Sequence, residues 1–161
     1  MSEFARKPQF SQKNAQKSEI GQVLNQQVAN WTVLYTKLHN YHWYVRGENF
    51  FTLHEKFEEL YNEANENIDV LAERLLAVNG RPSATLREVL EVASINEASG
   101  NETTKEMVQA LSNDFQQLIK ELSAGMQTAQ NAGDEGTSDL LLGISVSLEK
   151  HLWMLSTFLE H

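Results

Sequence analysis

Three histidines and several carboxylates crowd one short stretch, "HNYHWYVRGENFFTLHEKFEE": His39, His42 and His54, then Glu55, Glu58 and Glu59. Imidazole nitrogen combined with carboxylate oxygen suits iron or manganese, with zinc as a further candidate, and does not suit soft copper(I). A structural zinc site usually takes thiolates, and the chain has no cysteine. Further along, Asp69 and Glu73 repeat the spacing of four that relates His54 to Glu58. Residues four apart share a helix face, so each pair can present two donors side by side.

The two pairs cannot serve one ion on one helix. From Glu58 to Asp69 the rise is roughly 16 Å, too far for a metal to bridge. Two copies of the helix remove the difficulty. The residue numbers of His54 and Glu73, and those of Glu58 and Asp69, both add to 127. An antiparallel pairing about a dyad near residues 63 and 64 therefore brings each donor pair of one copy to the other pair of its mate. Such an isologous dimer contains two identical sites. His42, one turn before Gly47, can join His54 there. On spacing alone an ordinary solvated face, with Glu73 beside Arg74 and Glu58 beside Lys56, stands level with the metal reading.

The elements that must carry these donors are helices. Apolar residues recur at three and four: Leu24, Val28, Trp31, Tyr35, Leu38 and Val45 mark a first stripe, and Phe57 through Val78 a second. Met107 to Leu122 and Leu141 to Leu159 mark the third and fourth. Gly47 can close the first helix, Asn49 or the box Thr52-x-x-Glu55 can open the second, and Gly80 with Pro82 can close it. Thr103-x-x-Glu106 opens the third helix and Gly133 ends it. Between the second and third, Thr85-x-x-Glu88 opens a helix of about two turns inside a long connection. A long crossover there, with short links elsewhere, predicts an all-α, ferritin-like four-helix bundle with a short extra helix between helices two and three. The third and fourth helices lack an inward Glu-x-x-His, so a di-iron centre inside one bundle is not expected.

The 161 residues, 41% of them apolar, suffice for one domain. No apolar run approaches the roughly 20 residues of a membrane span, and the N-terminal segment lacks the apolar core of a secretory signal. The net charge of −9 opposes the coating of nucleic acid by the folded body. Residues 1–19 differ: Arg6, Lys7, Lys13 and Lys17 against Glu3 and Glu19 leave +2, so the remainder carries −11. A flexible N-terminal arm over 1–19 and a bundle over 20–161 follow. A disordered arm is the simpler reading and a phosphate-gripping arm the sharper one.

The run "HNYHWYVRGENFFTLHEKFEELYNEANENIDVLAERLLAVNGRP" closely resembles the signature of the Dps-type miniferritins: HW, a short RG-x-x-F turn, LHE, then D-x-x-A-E-R. The short crossover helix and "EKHLWML" extend the likeness from about residue 20 to the end. The resemblance implies a cytoplasmic, hollow homo-dodecamer that oxidises Fe(II), preferentially with hydrogen peroxide, and stores the ferric mineral. Carried over by position, His42, His54 and Glu58 come from one subunit and Asp69 and Glu73 from its dyad mate. Many members have Asp where this chain has Glu58, and the added methylene moves the carboxylate about 1.5 Å outward. Trp43 is expected chiefly to pack at the interface, with a secondary capacity to donate an electron to a stray oxidant. His39 is expected as a buried, hydrogen-bonded histidine, with a partner of the site or an auxiliary ligand as the sharper reading. Glu55, Glu59 and Glu63 could line a cavity and seed ferric oxide. Asp134, Glu135 and Asp139 could form an acidic pore, with the N-terminus of the fourth helix also favouring acids there. Zinc can occupy the same donors, since its affinity for such a site exceeds that of Fe(II). The rival function is a nucleoid DNA-compacting protein acting through the basic arm, and four positive charges predict weak or no DNA binding at neutral pH.

Overall fold

A computed structural model describes residues 9–160, with side chains from residue 19 onward. Among the described residues there are five helices and no strand: α1 (Gln9–Tyr44), α2 (Phe50–Ala77), α3 (Leu86–Val92), α4 (Thr104–Asn131) and α5 (Glu135–Leu159). The helix α1 packs on α2 and α4 on α5, while α3 lies against α1 within the crossover that joins α2 to α4. This is the expected four-helix bundle with a short extra helix. Backbone helix begins at Gln9, inside the segment expected as an arm. Residues 1–8 of that arm, and the side chains carrying its charge up to Lys17, lie outside the described residues.

Helix ends follow local chemistry, with one change from expectation. Thr103 and Glu106 form a complete capping box on α4, and the Thr85 hydroxyl accepts the Glu88 N–H at the start of α3. For α2, Asn49 holds the N-cap position without a side-chain bond, and Thr52 falls inside the helix. At the other end of α2, Asn79 rather than Gly80 takes the left-handed conformation, with φ of 66°. The N–H groups of Asn79 and Gly80 then cap the carbonyls of Leu76 and Leu75. Gly80 is needed for a different reason: a Cβ there would lie 2.1 Å from Leu75 Cδ1.

The four apolar stripes meet in one core whose fully buried members include Leu24, Leu38, Phe57, Leu71, Phe115, Leu122 and Leu141. Polar pegs along α1 tie down the crossover. Asn25 Oδ1 accepts from Ser83 N–H at 2.7 Å, Asn30 Oδ1 from Ser94 N–H at 2.7 Å, and Lys37 donates to the Asn96 carbonyl at 2.9 Å. Lys37 also forms a buried 2.8 Å ion pair with Asp114 on α4. Burial pushes the Asp114 carboxyl above its ordinary value, against the opposing pull of Lys37. Pegged to α1, the crossover leaves the outward face of α2 uncovered.

Candidate functional site

The α1–α2 turn folds His42 and His54 against each other. Their rings stack with centroids 3.7 Å apart and planes within 14°. His42 Nδ1 donates to the His54 carbonyl at 2.7 Å, and His54 Nδ1 donates to the His42 carbonyl at 2.8 Å. A carbonyl oxygen only accepts, so each Nδ1 carries a proton, and the lone pair of the neutral imidazole then falls at Nε2. That is the tautomer a metal requires, oriented by the bond at the other nitrogen. His39 follows the same rule, donating from Nδ1 to the Tyr35 carbonyl at 2.7 Å.

Along α2, Phe51, Glu58, Asn62, Asn65, Asp69 and Leu76 fall on one stripe of the helical period, flanked by Glu73. All seven are exposed. Among the described residues no cation pairs with Glu58, Asp69 or Glu73. The alternative partners bind elsewhere: Lys56 pairs with Glu59 at 3.0 Å and Arg74 with Asp134 at 2.7 Å. Two apolar side chains end the stripe, Phe51 at 79% exposure and Leu76 at 58%. Their numbers also add to 127, the register of the donor pairs. Among the described residues of the single chain, no three His, Asp or Glu side chains converge to hold a metal ion. The fold brings His42 to His54, with Glu58 one turn further along α2, and leaves Asp69 and Glu73 farther down the same helix.

The remaining expected residues divide. Glu55 and Glu59 are exposed on α2, as a surface-lining role requires. Glu63 is not a free surface carboxylate: it turns towards α5, where Ser147 Oγ donates to Oε1 and His151 Nε2 lies 2.6 Å from Oε2. Burial opposes its charge, but the bonds from His151 and Ser147 and the nearby Lys56 hold its pKa below the ordinary value. Asp134 is likewise engaged rather than open: it caps α5 through Thr137 N–H and receives Arg74. Its pKa is lowered because the Thr137 and Arg74 bonds outweigh burial. Glu135 and Asp139 remain exposed at the same helix end. Trp43 is 67% exposed, with its ring 5.3 Å from that of His39.

Two features escaped the sequence reading. Tyr61, half-buried on α2, stacks on His39 with centroids 3.8 Å apart and meets His42 edge-on at 5.3 Å. Its position three residues after Glu58 was the available signal. The second is the buried His151: Lys56 Nζ donates to its Nδ1 at 3.2 Å, so its Nε2 carries the proton given to Glu63. Nothing local links position 151 to 63.

Residues 21–161 match the family model of the ferritin-like domain. General stress protein 20U of Bacillus subtilis is 61% identical over 141 residues, covering 88% of this chain and 97% of that protein. DNA protection during starvation protein 2 of Bacillus anthracis is 58% identical over 142 residues, covering 88% and 97%. The crystal structure of a Dps protein from Bacillus brevis superposes with a TM-score of 0.90 at 55% identity, covering 91% of this chain and 98% of that one. With its stacked histidines, its carboxylate stripe and its crossover helix, the chain belongs to the Dps family of miniferritins within the ferritin-like domains.

Proposed function

We propose that the chain oxidises Fe(II), preferentially with hydrogen peroxide, at sites between dyad-related subunits, and stores the ferric product in a hollow homo-dodecamer that limits oxidative damage. The observation that carries this is the pair of imidazoles locked with both Nε2 lone pairs bare, beside a helix face of unneutralised carboxylates. His42, His54 and Glu58 of one subunit hold the substrate iron with Asp69 and Glu73 of the partner subunit. The common register of His54 with Glu73, Glu58 with Asp69 and Phe51 with Leu76 supports that pairing. Zinc fits the same donors and would compete with Fe(II).

The chemistry follows from holding two irons together. Each Fe(II) gives one electron; peroxide takes both, with two protons, and leaves as water. A single iron would deliver one electron and release hydroxyl radical. Exposed Glu55 and Glu59 offer oxygen donors for the ferric product, and exposed Glu135 and Asp139 attract cations to the start of α5. Asp134 contributes by fixing that helix end. No helix among the described residues is long and apolar enough to cross a membrane. The rival DNA-compacting reading rests on arm charges outside the described residues.

The test is peroxide-driven iron oxidation followed by stopped-flow absorbance. Glu73→Gln and His54→Ala should each slow the initial rate at least tenfold, in line with loss of a metal ligand, while gel filtration shows the parent assembly. Unchanged oxidation in both variants refutes the site.

A further inference from the structure

Building on the oxidation-site reading, we propose that Tyr61 is a positioning residue of that site, its ring forming the wall that sets the planes of His42 and His39. An Nδ1–H bond to a carbonyl fixes the tautomer and restrains rotation about Cβ–Cγ, but a hydrogen bond bends and leaves play in the plane. Packing narrows that play. His42 is covered on its face by His54 at 3.7 Å and met edge-on by Tyr61 at 5.3 Å, with planes 87° apart. His39 lies flat on Tyr61, 3.8 Å away and within 16° of parallel, and its other contacts are Tyr35 at 4.5 Å and Trp43 at 5.3 Å. Tyr61 is thus the one α2 ring that touches both α1 histidines.

The ring rather than the hydroxyl carries the role. Among the described residues nothing accepts or donates a hydrogen bond at the phenol. A phenylalanine would preserve the wall, and a leucine would not, because a branched aliphatic chain cannot cover an imidazole face by stacking.

Cobalt(II), which is not oxidised under these conditions, reports on binding apart from turnover. The assembled protein and its variants are titrated with cobalt(II) while the visible d–d band is recorded. Tyr61→Leu should weaken cobalt binding about tenfold or more and alter the band, as loss of a ligand-orienting contact does, while Tyr61→Phe stays within about twofold of the parent. Iron oxidation by Tyr61→Leu should show a raised KM for Fe(II) at a less affected kcat. Parent-like cobalt binding and band in Tyr61→Leu overturn the proposal, and so does an equal loss in Tyr61→Phe. Glu73→Gln separates the two levels: if it binds cobalt as the parent does, the site reading itself falls, whatever Tyr61 does.

Discussion

Truncating Phe51 to alanine should cripple the pairing of α2 with its dyad mate. The ring is 79% exposed in the single chain, and the proposed register sets it against Leu76 of the partner subunit. Burying a Phe side chain is worth about 1.5–3 kcal/mol, so covering the exposed part contributes roughly 1–2.5 kcal/mol per ring. An isologous interface counts every change twice. The loss is therefore about 2–5 kcal/mol per dimer, a rise in the dissociation constant of roughly thirty-fold to several-thousand-fold. Sedimentation velocity over a dilution series measures it, and a charge exchange tests the register. Phe51→Lys alone should dissociate the dimer, and adding Leu76→Glu should restore it. Adding Val70→Glu should not, because Val70 is exposed on another side of α2. Parent-like association of Phe51→Ala, or equal rescue by Val70→Glu, would refute the antiparallel register and with it the shared site.

Two further outcomes concern the frame. Glu102, Glu63 and Asp134 all have depressed carboxyl pKa values; for Glu102, bonds from Ser99 and Tyr41 outweigh burial and hold it at about 2. A depressed carboxyl stabilises the fold above its unfolded-state pKa and ceases to do so as pH falls through the folded value. Circular dichroism should therefore show stability falling from about pH 4.5 towards pH 2, and Glu102→Gln should flatten that slope. Lys37→Met should cost about 3–5 kcal/mol in urea unfolding by stranding the Asp114 carboxylate, with Lys37→Met/Asp114→Leu recovering most of it. Equal losses in the single and double variants would assign the effect to packing instead.

What could be read from the chain beforehand was whatever depends on local spacing. Helical stripes, the Thr103–Glu106 box and the donor pairs four apart are properties of neighbouring residues, and each is where the period puts it. Most of the failures are long-range. Glu63 looked like one more acid of the α2 surface, following Glu55 and Glu59 at intervals of four. Each such step turns the helix by about 40°, so by Glu63 the side chain has swung towards α5 and reaches His151 and Ser147. Asp134 looked like a member of an acidic patch, and its partner Arg74 is 60 residues away. At the end of α2 the miss is local: Asn79 takes the left-handed conformation, and Leu75 Cδ1 leaves no room for a Cβ at position 80.

The described histidines divide by which nitrogen holds the proton, and the division bears on how the proposed oxidation site responds to the loss of one member. His151 is committed at both nitrogens, accepting from Lys56 and donating to Glu63, so no lone pair remains for a metal. His39, His42 and His54 each donate from Nδ1 to a backbone carbonyl and keep Nε2 bare. The acceptors for His42 and His54 are each other's main chain, not each other's rings. Removing the His54 side chain therefore deletes its own bond and the stacking contact, while the His54 carbonyl still holds the His42 proton at Nδ1. A pair bonded ring to ring would lose both tautomers at once. Here the backbone of the α1–α2 turn holds the tautomer of each ring independently of the other ring.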